Sequence, residues 1–110
     1  MEVFNMIINI TNSAKLALNK LCKKNLTNLK TFRIYLKDIA CSGAIFYITL
    51  DNATQDDLIF EVDDFKIIIS KELCSKITVA NIYYNTSDSF EDFKITTDLV
   101  WKDEYHYTGL

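Results

Sequence analysis

The chain has 110 residues, a length that suits one domain, and we expect a single domain over residues 1–110. Of these residues 49% are apolar, enough for a hydrophobic core that needs neither disulfides nor a structural metal. The net charge of −3 argues against a surface devoted to phosphates, so we expect no nucleic-acid partner. Because no segment approaches the ~20 apolar residues of a membrane span and the first residues lack a signal-peptide pattern, we expect a cytoplasmic protein without a membrane partner.

The chain is predicted to begin with a strand and a helix. Residues 3–10, VFNMIINI, are rich in the β-branched and apolar side chains that favour strands. Residues 11–25 are predicted to be helical, and Thr11 or Asn12 can cap the first turn. Four apolar residues recur at helical spacing on one face of this helix: Ala14, Ala17, Leu18 and Leu21. We expect this long helix to cover one face of a sheet.

Most of the remaining chain is predicted to form strands. Residues 31–38 alternate between apolar and polar side chains, and a strand over 44–51 leads into a loop, in which we expect Asp56 and Asp57 to be solvated. A short helical turn is predicted to follow Ser70. Further strands are predicted over residues 58–62, 65–70, 77–85 and 93–97. The fold class is therefore α+β and β-rich: mixed β-sheets in a sandwich or partly closed barrel, with one long N-terminal helix and a short second helix.

Three cysteines are present, and their wide separation indicates neither a disulfide framework nor a zinc site. Cys22 falls beside the apolar face of the helix and Cys74 near the end of the short helix, so both are expected to be buried, unreactive thiols. Cys41 differs, because Ser42 and Gly43 follow it between two strands. Gly43 is one of only two glycines in the chain. We predict a turn here, with Gly43 required for the chain reversal.

In this order of elements, the Cys-Ser-Gly turn resembles the HesB-like, or A-type iron–sulfur carrier, family. That family combines a short strand, an Ala/Leu helix, an Arg-containing strand, a Gly-Cys-Ser-Gly turn and a strand that ends near Asp. The corresponding segments fall within residues 7–107 and read NITNSAKLALNKL, FRIYLKD, ACSG, FYITLD and DDLIFEVDDFKIIIS. The resemblance implies the HesB-like fold and a link to iron–sulfur cluster assembly.

The sequence departs from the family where a metal would be bound. The family carries one cysteine in the turn and two in a C-terminal Cys-Gly-Cys. Here the tail reads KDEYHY, so Tyr105 and Tyr107 stand where the two cysteines are expected, with His106 between them. Since clusters are held by thiolates, one Cys41 per chain would leave only two sulfur ligands in a dimer. Ala40 also replaces the glycine that precedes the turn cysteine.

Several interpretations of these residues stay open. Cys41 with Tyr105, His106 or Tyr107 can hold a mononuclear ferric ion, although a phenolate must first lose a proton of pKa ~10. The two tyrosines can instead be ordinary packed aromatics on a final strand, and Cys41 a remnant of the turn. A nucleophilic Cys41 would need His106 as its base, and no acidic residue is fixed by spacing to orient that base. We therefore expect that the chain is not an enzyme.

The sequence thus predicts a divergent HesB-like protein related to iron–sulfur cluster assembly or iron handling, without a normal cluster site. We expect no cofactor in the protein as isolated, with iron or an iron–sulfur cluster as the groups to test for. The alternative is a cofactor-free binding or scaffold protein on the same fold. Its aromatic tail would dock a protein partner or a second copy of the chain.

Overall fold

The computed structural model describes residues 6–40, 43–87 and 90–99. In chain order these residues form β1 (Ile7–Ile10), α1 (Asn12–Lys24), β2 (Thr31–Ala40), β3 (Gly43–Leu50), β4 (Asp57–Val62), β5 (Phe65–Ser70), α2 (Lys71–Cys74), β6 (Val79–Ser87) and β7 (Phe90–Thr97). The predicted α+β class, rich in strands, is confirmed. Among the described residues, no helix is long and apolar enough to cross a membrane.

Local side-chain signals explain where the two helices begin. The Oγ1 atom of Thr11 accepts a hydrogen bond from the backbone N–H of Ala14 at 3.2 Å, so Thr11 is the N-cap of α1. In the same way, the Oγ atom of Ser70 accepts from the N–H of Leu73 at 3.2 Å and caps α2. Both caps were among the residues that the sequence predicts.

The strands form two mixed sheets, ordered β1-β6-β7 and β3-β2-β5-β4. Each sheet contains one parallel pairing, of β1 with β6 and of β2 with β5, and its other pairings are antiparallel. Within the described residues the two sheets share no backbone ladder, although β3 lies beside β7 and β4 lies beside β1. The predicted sandwich or partly closed barrel is therefore confirmed only in part.

The hairpin of β2 and β3 carries the Cys-Ser-Gly segment at its far end. Its register runs from the pair Phe32–Leu50 to the pair Ala40–Gly43, with a shift between Leu36 and Asp38. The shift gives β2 one extra residue relative to β3, which is the arrangement of a β-bulge. The simple alternation predicted for residues 31–38 therefore holds only up to this point.

One hydrophobic core joins α1 to both sheets in the described part of the chain. The largest fully buried side chains are Leu18, Phe32, Ile34, Ile67, Ile68, Ile69 and Ile82. This core holds the base of the β2–β3 hairpin, and the hairpin extends beyond it. Leu36 and Ile39 lie on the same side of the hairpin as the core, yet each is 39% exposed. The far end of the hairpin therefore stands at the surface.

Candidate functional site

The candidate site begins at the far end of the β2–β3 hairpin. Ala40 and Gly43 are paired across the two strands and bracket Cys41 and Ser42 in the sequence. Gly43 has a φ of +127°, a backbone conformation that residues with a Cβ rarely adopt. The prediction that two strands flank this segment is confirmed. Cys41 and Ser42 themselves lie outside the described residues.

The other predicted ligands are Tyr105, His106 and Tyr107, and they also lie outside the described residues. The described chain ends at Leu99, which follows β7 and packs against the core. All four predicted ligands, Cys41 included, therefore lie outside the part of the chain that the structure describes. Their proximity, and the docking of the aromatic tail, stay predictions.

The two remaining cysteines are buried thiols, as predicted. Cys22 is 4% exposed and Cys74 is 5% exposed. Their Sγ atoms donate to the backbone carbonyls of Leu29 at 3.9 Å and of Ile69 at 3.7 Å, respectively. Burial raises the pKa of both thiols, that of Cys74 to about 11. Both thiols are therefore protonated at neutral pH and are poor ligands and nucleophiles.

The described residues do not fit a metal or cluster site. Within residues 6–40, 43–87 and 90–99, no three His, Cys, Asp or Glu side chains are grouped to hold a metal ion. An iron–sulfur cluster needs several thiolates, and Cys22 and Cys74 are both protonated. The described residues by themselves therefore supply no ligand set for iron or a cluster.

A charged network lies on the face of β2 that points away from the core. Arg33 donates from Nη1 and Nη2 to the two carboxylate oxygens of Asp57, at 2.7 and 2.6 Å, and from Nε to Asp51 at 2.6 Å. Thr54 adds hydrogen bonds to Asp57 from its backbone N–H at 2.7 Å and from its hydroxyl at 3.0 Å. The Asp57 side chain is only 3% exposed. The prediction that Asp57 lies in a solvated loop is therefore wrong.

This network fixes the protonation of its own members. The hydrogen bonds that Asp57 accepts from Arg33 hold the pKa of Asp57 well below its usual range. The hydrogen bond that Asp51 accepts from Arg33 lowers the pKa of Asp51 as well. The two carboxylates in turn raise the pKa of Arg33. All three side chains are charged at neutral pH and satisfy one another. The network therefore ties the loop between β3 and β4 to β2, and it offers no free acid or base.

Among the solved structures that share this fold, three have TM-scores between 0.67 and 0.72. IscA, in a crystal structure with the [2Fe-2S] cluster, superposes with a TM-score of 0.72 at 16% sequence identity, over 84% of this chain and 86% of that chain. SufA of Escherichia coli is described as involved in the biosynthesis of iron–sulfur clusters. It superposes with a TM-score of 0.68 at 19% sequence identity, over 86% of this chain and 83% of that chain. A protein from Aquifex aeolicus, solved by NMR in solution, superposes with a TM-score of 0.67 at 22% sequence identity, over 87% of this chain and 96% of that chain.

Sequence comparison adds one curated relative. The uncharacterized protein ycf83 of Galdieria sulphuraria is 29% identical over 83 residues, which cover 73% of this chain and 74% of that protein. No family model matches the chain. The structural likeness shows that the chain has the HesB-like, or A-type iron–sulfur carrier, fold, as the resemblance implied. At these identities it shows the fold alone.

Proposed function

We propose that the chain acts in iron–sulfur cluster assembly or iron handling, as a HesB-like protein without the usual cluster site. A fold by itself does not fix a function. The observation that carries the proposal is the place of Cys41, which directly follows the paired end of the β2–β3 hairpin in a fold shared with IscA and SufA. The other two cysteines, Cys22 and Cys74, are buried among core residues as inert thiols and do not serve this role.

The donor chemistry limits this role. One thiolate per chain cannot complete a cluster's ligand set, because clusters are bound by several thiolates. The remaining ligands would come from Tyr105, His106 or Tyr107, or from a second protein. Iron or a cluster is therefore better understood as cargo than as a resident cofactor. We also propose that the chain is cytoplasmic, where its thiols stay reduced, and that it is not an enzyme.

The test is anaerobic purification of the full chain, followed by analysis of iron and acid-labile sulfide. Iron with sulfide supports cluster assembly, and iron without sulfide supports iron handling at a mononuclear site. In either case the metal should be lost in Cys41→Ser. It should be retained in Cys22→Ala, the matched control, which removes a buried thiol of the core. Absence of both iron and sulfide would contradict the proposal.

A second candidate function is that of a cofactor-free binding or scaffold protein on the same fold. The observation that favours it is the exposure of Leu16, Leu26 and Leu29 on and after α1, where the side chains are 65%, 95% and 67% exposed. Exposed apolar side chains that cluster on a surface often mark an interaction site. A metal-free protein that binds its partner equally well with Cys41→Ser would support this candidate over the first.

A further inference from the structure

The outward side of α1 and the loop that follows it form a surface that the proposed iron chemistry does not use. Its exposed leucines are interleaved with lysines along the chain. We call this the lysine–leucine surface, and its members are Leu16, Lys20, Lys23, Leu26, Leu29 and Lys30. Leu26 is the most exposed of them, at 95%. Leu16 and Leu29 are 65% and 67% exposed, so apolar and cationic side chains share this surface.

The backbone of Leu26 makes its exposure more informative. Its φ is +52°, in the left-handed region that is uncommon for residues other than glycine and asparagine. The N–H of Leu26 donates to the carbonyl of Lys23, and that of Thr27 donates to the carbonyl of Cys22, both at 3.1 Å. These bonds form the Schellman motif that ends α1, at a position where glycine is usual. Leucine is the poorer choice for stability here, and such strain is typical of functional sites.

A groove of 490 Å³ lies between α1 and the loop. Leu16, Lys20 and Lys23 line it from the helix, and Thr27 and Lys30 line it from the loop. The loop is tied to the helix through the bond between the Cys22 thiol and the Leu29 carbonyl, so the two walls are held together. A concave groove fits a segment of polypeptide better than it fits the plane of a bilayer.

The groove is positively charged, although the whole chain carries −3. Lys20 and Lys23 form no ion pair with any residue in the described ranges, whereas Lys30 lies 3.5 Å from Asp64. The described residues that line the groove include no acidic side chain. Unpaired ammonium groups beside apolar side chains are complementary to carboxylates beside apolar side chains.

We propose that the lysine–leucine surface binds an acidic, amphipathic segment of a partner protein. Carboxylates of that segment pair with Lys20 and Lys23, and its apolar side chains cover Leu16 and Leu26. Recognition of this kind rests on a few apolar anchors with charges around them. The inference needs neither iron nor Cys41, so it stands or falls separately from the proposed role in iron–sulfur chemistry. It rests on the same exposed leucines as the second candidate function and names the class of partner for that candidate.

The first test measures binding of the full chain to a synthetic peptide in which Glu and Leu recur at helical spacing, by fluorescence anisotropy. The variant Lys20→Glu/Lys23→Glu should weaken binding about tenfold or more. The matched control is Lys71→Glu/Lys94→Glu, the same charge change at two exposed lysines on α2 and β7, and it should leave the affinity unchanged. Equal losses in both variants, or no binding by the unaltered chain, would overturn the proposal.

The second test separates an anchor from a structural residue. Asparagine accepts the left-handed conformation, so Leu26→Asn should leave the thermal midpoint unchanged or raise it. It should weaken peptide binding about fivefold, because the apolar anchor is lost. A control peptide with Ser in place of Leu should bind the unaltered chain and Leu26→Asn equally weakly. Unchanged affinity of the original peptide for Leu26→Asn would contradict the proposal.

Two other occupants of the surface give different results. If vesicles of phosphatidylcholine and phosphatidylserine bind the chain while the peptide does not, the surface faces a membrane and the proposal is overturned. If sedimentation shows a dimer that Lys20→Glu/Lys23→Glu dissociates, the occupant is a second copy of the chain. Binding of the peptide to a chain that stays monomeric and free of vesicles supports the proposal.

Discussion

At the scale of single residues, Gly43 shows that backbone conformation and the space for a side chain are separate constraints on a substitution. A Cβ built on Gly43 would meet nothing within 4 Å, yet the φ of +127° lies where side-chain-bearing residues are strained. We predict that Gly43→Ala lowers the free energy of unfolding by about 1–3 kcal/mol through backbone strain alone. Urea unfolding measures this loss. The control is Ala44→Gly on the same strand, with an expected loss of about 0.5–1 kcal/mol. Unchanged stability in Gly43→Ala would mean that the turn does not need glycine.

Asp57 is the residue whose removal should disturb the charged network most. Asp57→Asn removes the charge that the Arg33 guanidinium faces in a largely buried position, and the free energy of unfolding should fall by about 2–3 kcal/mol. Asp51→Asn is the matched control, because the Asp51 side chain is 45% exposed and takes a single hydrogen bond from Arg33. Its loss should be about 1 kcal/mol or less. Equal losses would show that the burial of Asp57 does not matter.

The network should also make stability depend on pH in the acid range. The pKa of Asp57 in the folded chain lies below its usual value of 3.8, so the unfolded chain binds the proton more tightly. The stabilisation is complete above about pH 5 and is lost progressively as the pH falls below about 4. Asp57→Asn should flatten this dependence, and denaturant unfolding between about pH 2 and 6 checks it. An unchanged slope would contradict the lowered pKa.

At the scale of the elements, α1 depends on its cap. Thr11→Ala removes the hydroxyl that accepts from Ala14, and should lower the free energy of unfolding by about 1 kcal/mol. Asn12→Ala is the control, because no hydrogen bond joins the Asn12 side chain to a described residue and this position is exposed. Its effect should stay within about 0.5 kcal/mol. Thermal melting followed by circular dichroism compares the two variants. A larger loss of stability in Asn12→Ala than in Thr11→Ala would contradict the assignment of Thr11 as the cap.

Most elements could be predicted from the sequence, because their signals are local. The alternation of apolar and polar residues predicts β2, and the helical spacing of apolar residues predicts α1. Thr11 and Ser70 mark the starts of the two helices. Asp63 takes a φ of +54° in the turn between β4 and β5, a conformation that Asp tolerates better than most residues other than glycine. The parallel pairing of β1 with β6 could not be predicted, since strand partners far apart in the chain leave no local signal.

Only part of the candidate site could be predicted from the sequence, again because only some of its signals are local. The Cys-Ser-Gly segment was identified because its residues are adjacent in the sequence and lie between two strands with clear signals. The pairing of Arg33 with Asp57 was missed, because the partners are 24 residues apart and meet only when the loop closes over β2. The exposed Leu26 was missed for a related reason: its left-handed backbone is set by the end of α1, and leucine is an unusual residue there.

At the scale of the whole molecule, the described residues pack around one hydrophobic core. This core is built from aliphatic and aromatic side chains of α1 and both sheets, and the two cysteines within it, Cys22 and Cys74, serve as small apolar groups. We therefore expect a chain of this architecture to fold with Tyr105 and Tyr107 in its tail in place of thiolates. Fold and metal chemistry are separable, as they are in general.

This separation predicts how the purified protein looks. Isolated in air, the full chain should be colourless and free of iron, since Cys22 and Cys74 stay protonated and iron bound through Cys41 without further thiolates is lost when oxygen is present. Visible absorption and iron analysis check this. A brown protein whose sulfide-to-iron absorption bands vanish in Cys41→Ser would contradict the prediction. It would show that ligands other than sulfur complete the site.

We expect the register shift between Leu36 and Asp38 to divide the β2–β3 hairpin into two parts that open independently. Toward its base the hairpin is anchored by buried Phe32 and Ile34, whereas beyond the shift Ile39 is 39% exposed. Amide hydrogens beyond the shift should therefore exchange with deuterium through local opening, while those near the base exchange only when the whole chain unfolds. The described strand residues beyond the shift would then open and reclose while the base of the hairpin stays folded.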